Sequence, residues 1–350
     1  IVPEGDMQLA DSGRFEWRRR PNWPGDYDVW PRDRTPMVRV LLQSAGVVDE
    51  QANALAEQRL VVRTDGEVRE VDAETVTAAD EDQVPAREAK PLEIVGDGRA
   101  INPLGGSEMV WVPAGKFMRG RKGGYRDETP AREIELDGFW ISKTPITVAE
   151  YRKFLEATGR EDDINVPRWP YQAVDPVREG GTYPALTHWY DASFYARWAG
   201  GSLPTEAQWE KAARGTDGRL YPWGDDWELS KVPRVEWDNY IFQRYRGASP
   251  VGTRPAGASP YGALDMADNV WEWVADWYDP TYYEEAPAVN PRGPRKGTFK
   301  VLRGGSNLWD RRHNTTTYRF PHPPWVDNWV QTGFRVVIDA HKDGRPRQKQ

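Results

Sequence analysis

Two imidazoles and a carboxylate lie close together in the C-terminal third of the chain. They are Asp310, His313 and His322, and three prolines stand near the second histidine. Two histidines and one carboxylate that leave coordination positions open form the ligand set of non-haem iron oxygenases. Histidines separated by loop-type residues are also common as exposed side chains. Two interpretations therefore stay open: an iron centre, or a loop that displays polar groups.

The same stretch carries the side-chain types that dominate binding interfaces, with Trp, Tyr, Arg and His in close succession. The candidate contact residues are Asn307, Trp309, Asp310, Arg311, Arg312, His313, Asn314, Thr315, Thr317, Tyr318, Arg319, His322, Trp325, Asp327 and Trp329. A segment "RGGS" precedes them, and its paired glycines permit backbone angles that can aim the following loop. We expect Arg303 and Arg335 to pair with carboxylates or carbonyls beneath it. The alternative is that the tryptophans are core residues.

Composition narrows the possible chemistry. The chain has no cysteine, which excludes disulfides, thiolate metal sites and cysteine nucleophiles. The scarcity of labile residues is typical of heat-adapted proteins. A net charge of -7 gives no electrostatic basis for binding nucleic acid. No apolar run reaches the roughly 18 residues of a membrane-spanning helix. No secretory signal is visible, and because the chain starts at Ile1 we draw no conclusion about compartment.

The sequence divides into three parts, and the candidate residues all lie in the central one, residues 105–340. Residues 1–104 are rich in Pro and charge; they include a short predicted helix (Asp49–Arg59), a hairpin around a D-G turn (Leu60–Glu74) and a polar linker (Thr77–Lys90). Residues 341–350 form a polar tail.

Residues 105–340 predict an α+β domain with unusually long loops. The predicted strands fall in Met109–Gly120 and Arg132–Thr147, and the predicted helices in Thr147–Gly159, Asp191–Gly201 and Pro204–Gly215. Capping boxes open two of the helices, Thr147 with Glu150 and Thr205 with Gln208. Loops this long need bound ions or buried aromatic side chains to hold them.

Seven segments in order resemble the formylglycine-generating-enzyme or sulfatase-modifying-factor family. They are "WVPAGKFMRG", "FWISKTPITVAEYRKF", "SLPTEAQWEKAARG", "YPWGDD", "PVGTRPAGASPYGALDMADNVWEWVADWY", "VLRGGS" and "GFRVV". The resemblance spans roughly two thirds of the chain and does not cover residues 1–104. It implies a variant of the C-type lectin fold, loop-rich with short strands and few helices.

The resemblance also shows what is missing. Enzymes of this family hold copper with two cysteines shortly after "RGGS", and the matching positions here are Trp309 and Asn314. Neither can bind copper as a thiolate does, so we expect no copper. A second branch takes iron on histidines of an N-terminal domain, but residues 1–104 contain no histidine. His188 stands where the family starts a helix, and we interpret it as structural.

A third use of the family is as the variable protein of diversity-generating retroelements, in which adenine-directed mutation changes residues between "RGGS" and "GFR". Asn codons mutated at adenine yield many polar residues but not Lys, Glu, Gln, Met or Trp. Residues 307–332 contain no Lys, Glu or Met, although one Gln and three Trp depart from the pattern. The preferred function is therefore a non-catalytic module that binds an unknown protein or small-molecule ligand through residues 307–332. The competing function is a cysteine-free iron oxygenase that uses His313, His322 and Asp310.

The segment "DMADNVWEW" predicts a structural calcium ion. Calcium accepts six to eight oxygen ligands in irregular geometry. The family resemblance implies side-chain ligands from Asp265 and Glu272, and backbone carbonyls from Asp268 and Val270. Asp268 departs from the glycine that the family prefers, although Asp tolerates a left-handed backbone better than most residues. The alternative is that Glu272 pairs with protein donors and no ion binds.

Overall fold

The structure of the protein is a computed structural model. It describes residues 90–159, 181–233, 248–306, 311–324 and 331–340, together with four N-terminal strands. Contacts divide the chain into two units, Ile1–Val84 and Pro85–Gln350.

The described strands of the first unit form two antiparallel hairpins. These are β1 (Asp6–Leu9) with β2 (Phe15–Arg18), and β3 (Arg59–Thr64) with β4 (Glu67–Asp72). The second hairpin confirms the prediction made from the D-G turn. The helix and the linker predicted on either side of it lie almost wholly outside the described residues.

The described residues of the second unit form short strands and four helices. Its strands are β5 (Glu93–Gly96), β6 (Arg99–Ile101), β7 (Glu108–Val112), β8 (Gly115–Arg119), β9 (Arg132–Leu136), β10 (Phe139–Ser142), β11 (Trp271–Trp277), β12 (Lys300–Arg303), β13 (Phe320–His322), β14 (Thr332–Phe334) and β15 (Val337–Asp339). Its helices are α1 (Val148–Thr158), α2 (Trp189–Trp198), α3 (Glu206–Arg214) and α4 (Tyr282–Glu285). This is the loop-rich α+β architecture expected from the sequence.

Two sheets and a hairpin organise these strands. The five-stranded sheet has the order β15-β10-β7-β6-β5, the four-stranded sheet has the order β13-β12-β11-β14, and β8 pairs with β9. The consecutive strands β7 and β8 join different partners, because the Pro-Ala-Gly turn between them redirects the chain. In the four-stranded sheet β11 runs antiparallel to β12 and parallel to β14.

Helices α1 and α3 begin where capping chemistry predicts. In α1 the Thr147 amide donates to a Glu150 carboxylate oxygen at 2.7 Å, and the Glu150 amide donates to Thr147 Oγ1 at 3.2 Å. Gly159 closes this helix with φ 65°. Thr205 and Gln208 form the second capping box, at the start of α3.

Helix α2 begins earlier than predicted, at Trp189 and not at Asp191. His188 is its N-cap, and the imidazole accepts a hydrogen bond from the Asp191 amide at 3.4 Å. The structural interpretation of His188 is thus confirmed.

The hydrophobic core collects residues from both sheets, the β8–β9 hairpin and α3. Trp209 of α3 is fully buried within it, together with Phe117, Phe139 and Val274. Trp271 and Trp273 of β11 are equally buried. Buried aromatic side chains therefore supply much of the packing in a domain with little regular structure. None of the helices in the described part of the chain has the length and hydropathy that crossing a bilayer requires.

Candidate functional site

The four-stranded sheet gathers the candidate residues at one of its ends. Arg303, the last residue of β12, lies opposite Glu272, and Trp271, the first residue of β11, lies beside Thr332, the first of β14. Phe320, the first residue of β13, lies opposite Leu302. The chain after β12 and the chain before β11, β13 and β14 therefore meet at this end, which we call the loop end.

Paired glycines shape the loop end. Gly304 and Gly305 adopt φ 91° and 74°, in the left-handed region that disfavours side chains. A Cβ on Gly305 would lie 1.8 Å from Asn314 Oδ1, so no other residue fits there. The positive φ angles agree with the expectation that the paired glycines direct the loop that follows them.

Arg303 anchors the frame from below. Its guanidinium donates to Glu206 at 3.3 Å and to Glu210 at 2.9 Å, and also to the carbonyls of Thr316 and Thr317 at 2.6 and 2.8 Å. Burial opposes its charge, but Tyr283, Glu210 and Glu206 outweigh that effect and raise the Arg303 pKa. The strand that leads into the loop is thus tied to the chain that leaves it.

A second buried arginine, Arg319, also binds the Glu206 carboxylate. Arg319 donates to both oxygens of Glu206, at 2.7 and 3.0 Å. Burial alone would raise the Glu206 pKa, but the charges of Arg319 and Arg303 together lower it. Glu206 is therefore ionised between two guanidinium groups. This is the arrangement in which a buried charge is tolerated.

Arg335 forms the third ion pair of the frame. Its Nε lies 2.8 Å and 3.0 Å from the two Glu272 oxygens, and Trp209 Nε1 donates to Glu272 at 2.7 Å. Its other nitrogens donate to the carbonyls of Ser142, Lys143 and Leu264. The expected pairing of Arg303 and Arg335 with carboxylates and carbonyls is confirmed.

Five predicted loop contacts are buried, so the expectation that they are exposed is wrong. Asn314, Thr315, Thr317 and Arg319 are at most 3% exposed, and His322 is 6% exposed. After the 3-10 turn Arg311–His313 the chain turns inward. Thr317 Oγ1 then donates to Glu128 at 2.8 Å, and the Thr316 amide donates to the Leu220 carbonyl at 2.9 Å. Partners distant in sequence draw this segment into the core.

The exposed part of the site is smaller. Arg311 and Arg312 are exposed, and His313 and Tyr318 are half-buried. The His313 ring lies edge-on to Tyr318 with centroids 4.8 Å apart, and Tyr125 contacts Tyr318 at 5.4 Å. Tyr125 is 40% exposed. Sequence reasoning missed it, because nothing local links it to Tyr318.

Some buried polar atoms here have no hydrogen-bond partner in the part of the chain that the structure describes. They are Ser306 Oγ, Asn314 Oδ1 and both side-chain heteroatoms of Gln331. Ser306 and Asn314 lie beside the glycine pair, and the Gln331 carbonyl accepts from the Trp271 amide at 2.8 Å. The interior of the loop end is therefore polar as well as aromatic.

The two candidate iron ligands occupy different surroundings. His313 packs on Tyr318, whereas His322 is 6% exposed and packs against Trp273, with ring centroids 5.5 Å apart. Asp310 lies outside the described residues, as do Asn307, Trp309, Trp325, Asp327 and Trp329. Among the side chains that the structure describes, no cluster of three or more His, Asp or Glu is arranged to hold a metal.

The candidate calcium segment has an irregular backbone. Asp265, Asp268 and Asn269 adopt φ 57°, 73° and 65°. Asp265 accepts from the Gly252 amide at 2.6 Å through one oxygen, and the other has no hydrogen-bond partner among the described residues. Burial raises the Asp265 pKa to about 6. Glu272 is already hydrogen-bonded to Arg335 and Trp209, so protein donors and a cation would share that carboxylate.

Paired sheets, capped helices and an RGGS frame over buried Arg–Glu pairs define a C-type lectin-like domain of the formylglycine-generating-enzyme type. The model of the "Sulfatase-modifying factor enzyme 1-like domain" family matches residues 101–340. The chain belongs to this family, and the resemblance inferred from its motifs is confirmed.

One curated protein and two solved structures illustrate what the chain is similar to. A protein named formylglycine-generating enzyme from Streptomyces coelicolor is 34% identical over 314 residues, which covers 73% of this chain and 95% of that protein. The solved structure of PvdO from Pseudomonas aeruginosa has a TM-score of 0.57 at 24% identity and covers 73% of this chain and all of that one. The solved structure of variable protein 1 from Treponema denticola has a TM-score of 0.53 at 20% identity, and the match covers 66% of this chain and 94% of that one. The two structures support the fold alone.

Proposed function

We propose that this protein is a non-catalytic module that binds a protein or small-molecule ligand through residues 307–332. Asn314 carries the proposal. It stands where the family's copper enzymes have a thiolate, it is 1% exposed, and its amide packs against Gly305. An amide oxygen does not replace a thiolate as a copper ligand, and the chain has no cysteine. The residues present therefore do not fit copper.

The division between frame and surface supports a binding role. Arg303 and Arg319 hold both ends of the loop in the core, while Arg311 and Arg312 stay exposed between them. Substitution at exposed loop positions usually changes stability by about 0.5 kcal/mol or less. A surface of this kind can change its ligand without losing its fold, and we include diversification by a retroelement in the proposal. A reverse-transcriptase gene beside a near-copy of the 3′ end is the expected genomic finding.

The second candidate function is an iron oxygenase that uses His313, His322 and Asp310. The observation in its favour is the strong similarity to a relative whose name denotes an enzyme. The geometry gives it less support, because His313 and His322 contact different aromatic side chains.

Metal analysis of the purified chain separates the two functions. The binding module is expected to contain no stoichiometric iron or copper, and to recover neither after anaerobic loading with Fe²⁺ or Cu⁺. Iron retained at one equivalent and lost in both His313→Ala and His322→Ala would reject the binding module in favour of the oxygenase. Arg295→Ala, at an exposed position outside the loop, is the control variant.

We also propose a structural calcium ion held by Asp265 and Glu272 side chains and by the carbonyls of Asp268 and Val270. The buried Asp265 oxygen without a hydrogen-bond partner supports it, since such an atom is costly unless a cation or donor meets it. Three residues in the left-handed region between Asp265 and Asn269 give the loop the irregular backbone that a calcium site accommodates.

A further inference from the structure

Six side chains from two distant segments form one surface at the loop end. We call it the basic aromatic rim, and its members are Tyr125, Arg126, Arg311, Arg312, His313 and Tyr318. Tyr318 joins the segments, because its ring contacts Tyr125 on one side and His313 on the other. Tyr125 and Arg126 come from the Gly-rich connection between β8 and β9, which the sequence analysis did not assign to any site.

Two arginines of the rim have no ion-pair partner among the described residues. Arg126 and Arg311 are exposed, and neither forms an ion pair with any residue that the structure describes. The acidic residues that follow Arg126, Asp127 and Glu128, have hydrogen-bond partners elsewhere, and Asp310, which precedes Arg311, lies outside the described residues. Asp127 accepts from the Tyr278 hydroxyl at 2.6 Å, and Glu128 is buried against Thr317 and Arg121. Basic side chains therefore outnumber acidic ones in the described part of the rim, on a protein whose net charge is -7.

We infer that the basic aromatic rim binds an acidic, extended segment of a partner protein. This inference rests on the proposed function and specifies its partner. Guanidinium groups recognise carboxylates through paired hydrogen bonds, and tyrosine offers a large contact area at low entropic cost. Sites for small molecules are concave and bury about 70–90% of the ligand. Tyr125, at 40% exposure, stands on an open surface that suits a peptide better.

Three labelled peptides of equal length test the charge preference on the full chain. One alternates Glu and Tyr, the second replaces Glu with Gln, and the third replaces Glu with Lys. We expect fluorescence anisotropy to show binding of the Glu peptide, about tenfold weaker binding of the Gln peptide and no binding of the Lys peptide. The affinity for the Glu peptide should fall as salt rises from about 50 to about 300 mM, because exposed charges are screened.

Matched variants localise the binding. Arg126→Gln with Arg311→Gln should weaken the Glu peptide about tenfold or more, which is the loss expected when interface arginines are removed. Arg295→Gln with Lys296→Gln removes the same charge from an exposed segment just before β12, at the other end of that strand. This control should change affinity by about twofold or less, since long-range charge effects are weak in salt. Both variants should keep the parent's melting temperature.

Each other result overturns the inference. Equal affinity for the Glu and Gln peptides would show an aromatic surface without charge preference, and the binding module would survive. Equal weakening by both double variants would show bulk attraction and no defined rim. If none of the peptides binds and the chain instead holds stoichiometric iron, the proposed function fails together with the inference.

Discussion

Two pairs of arginines in the same region have opposite surroundings. Arg303 and Arg319 are at most 2% exposed and share Glu206, whereas Arg126 and Arg311 are exposed and have no ion pair among the described residues. Residue type alone does not distinguish them. What differs is whether the fold brings a carboxylate to the guanidinium, and that carboxylate comes from α3, far away in sequence.

The difference has an energetic consequence. Removing one partner of a buried ion pair costs about 3–5 kcal/mol, because a charge is left without compensation. Substitution of an exposed charged residue usually changes the free energy of unfolding by about 0.5 kcal/mol or less. Stability should therefore depend on the buried frame, while the exposed rim is free to serve recognition. The predictions below test that division, beginning with the largest expected effect.

Arg303→Ala should lower the free energy of unfolding by about 3–5 kcal/mol, because Glu206 and Glu210 lose a shared cation in the core. The carbonyls of Thr316 and Thr317 also lose their donor. Urea unfolding monitored by tryptophan fluorescence measures the change. Arg303→Lys, which keeps the charge but not the paired geometry, should fall between parent and Ala. A cost no larger than that of Arg295→Ala would remove the distinction between frame and rim.

Calcium should stabilise the frame and leave the rim unaffected. A ligand that binds only the folded state adds about 2.7 kcal/mol at a free concentration of 100 times its Kd. We therefore expect a chelator to lower the melting temperature of the parent, and Glu272→Gln to abolish the response. Arg126→Gln should retain the parent's response. An unchanged melting temperature in both parent and Glu272→Gln would mean that Arg335 and Trp209 alone satisfy Glu272.

The free energy of unfolding should depend on pH through Asp276, a buried carboxyl group beside Glu206. Burial and the charge of Glu206 raise the Asp276 pKa to about 7, although Lys300 and Arg319 oppose the shift. Because the folded protein holds this proton more tightly than the unfolded chain, Asp276 stabilises the fold most at pH values below its unfolded pKa of 3.8. This contribution to the free energy of unfolding is lost as the pH rises through 7. Burial likewise lowers the Lys300 pKa to about 7, so its contribution is lost as pH falls from 10.5 toward 7.

Asp276→Asn should therefore remove a decline in stability between pH 4 and 7 that the parent shows. The slope attributable to one proton is at most about 1.4 kcal/mol per pH unit. The Asn oxygen can still accept from the Glu206 amide, which is 2.8 Å from Asp276 Oδ2. Asp225→Asn replaces an exposed carboxylate that also accepts a backbone amide, and it should retain the parent's slope. Equal slopes in all three proteins would assign the dependence to other groups.

Local sequence patterns predicted the elements that depend on neighbouring residues. The capping boxes at Thr147 and Thr205 and the D-G hairpin follow from residues a few positions apart, and the structure has each of them. Arg303 and Arg335 were expected in the frame because they flank glycine-rich motifs of the family. These features need no knowledge of the distant chain.

Burial in the loop could not be predicted in the same way. Thr317 is buried because Glu128 meets its hydroxyl, and Arg319 because Glu206 meets its guanidinium. Each contact spans more than a hundred residues, and no periodicity in the loop announces it. For the same reason Tyr125 escaped the list of candidate contacts, although its ring contacts Tyr318.

The smallest expected effect lies within the loop itself, where the exposed Arg312 is followed two residues later by the buried Asn314. Arg311→Ser with Arg312→Ser should leave the free energy of unfolding within about 1 kcal/mol of the parent, since each exposed change costs about 0.5 kcal/mol or less.

Thr317→Val should cost about 1–3 kcal/mol, although it is a single change of similar volume, because Glu128 loses a donor in the core. Among the described residues, Glu128 then keeps an ion pair with Arg121, at 3.4 Å. Burial already raises the Glu128 pKa, so the carboxyl should take up a proton at higher pH in this variant than in the parent. Urea unfolding of both variants at neutral pH makes the comparison. If the serine pair costs more than Thr317→Val, Arg311 and Arg312 belong to the frame, and the surface that remains for recognition is smaller than the rim defined here.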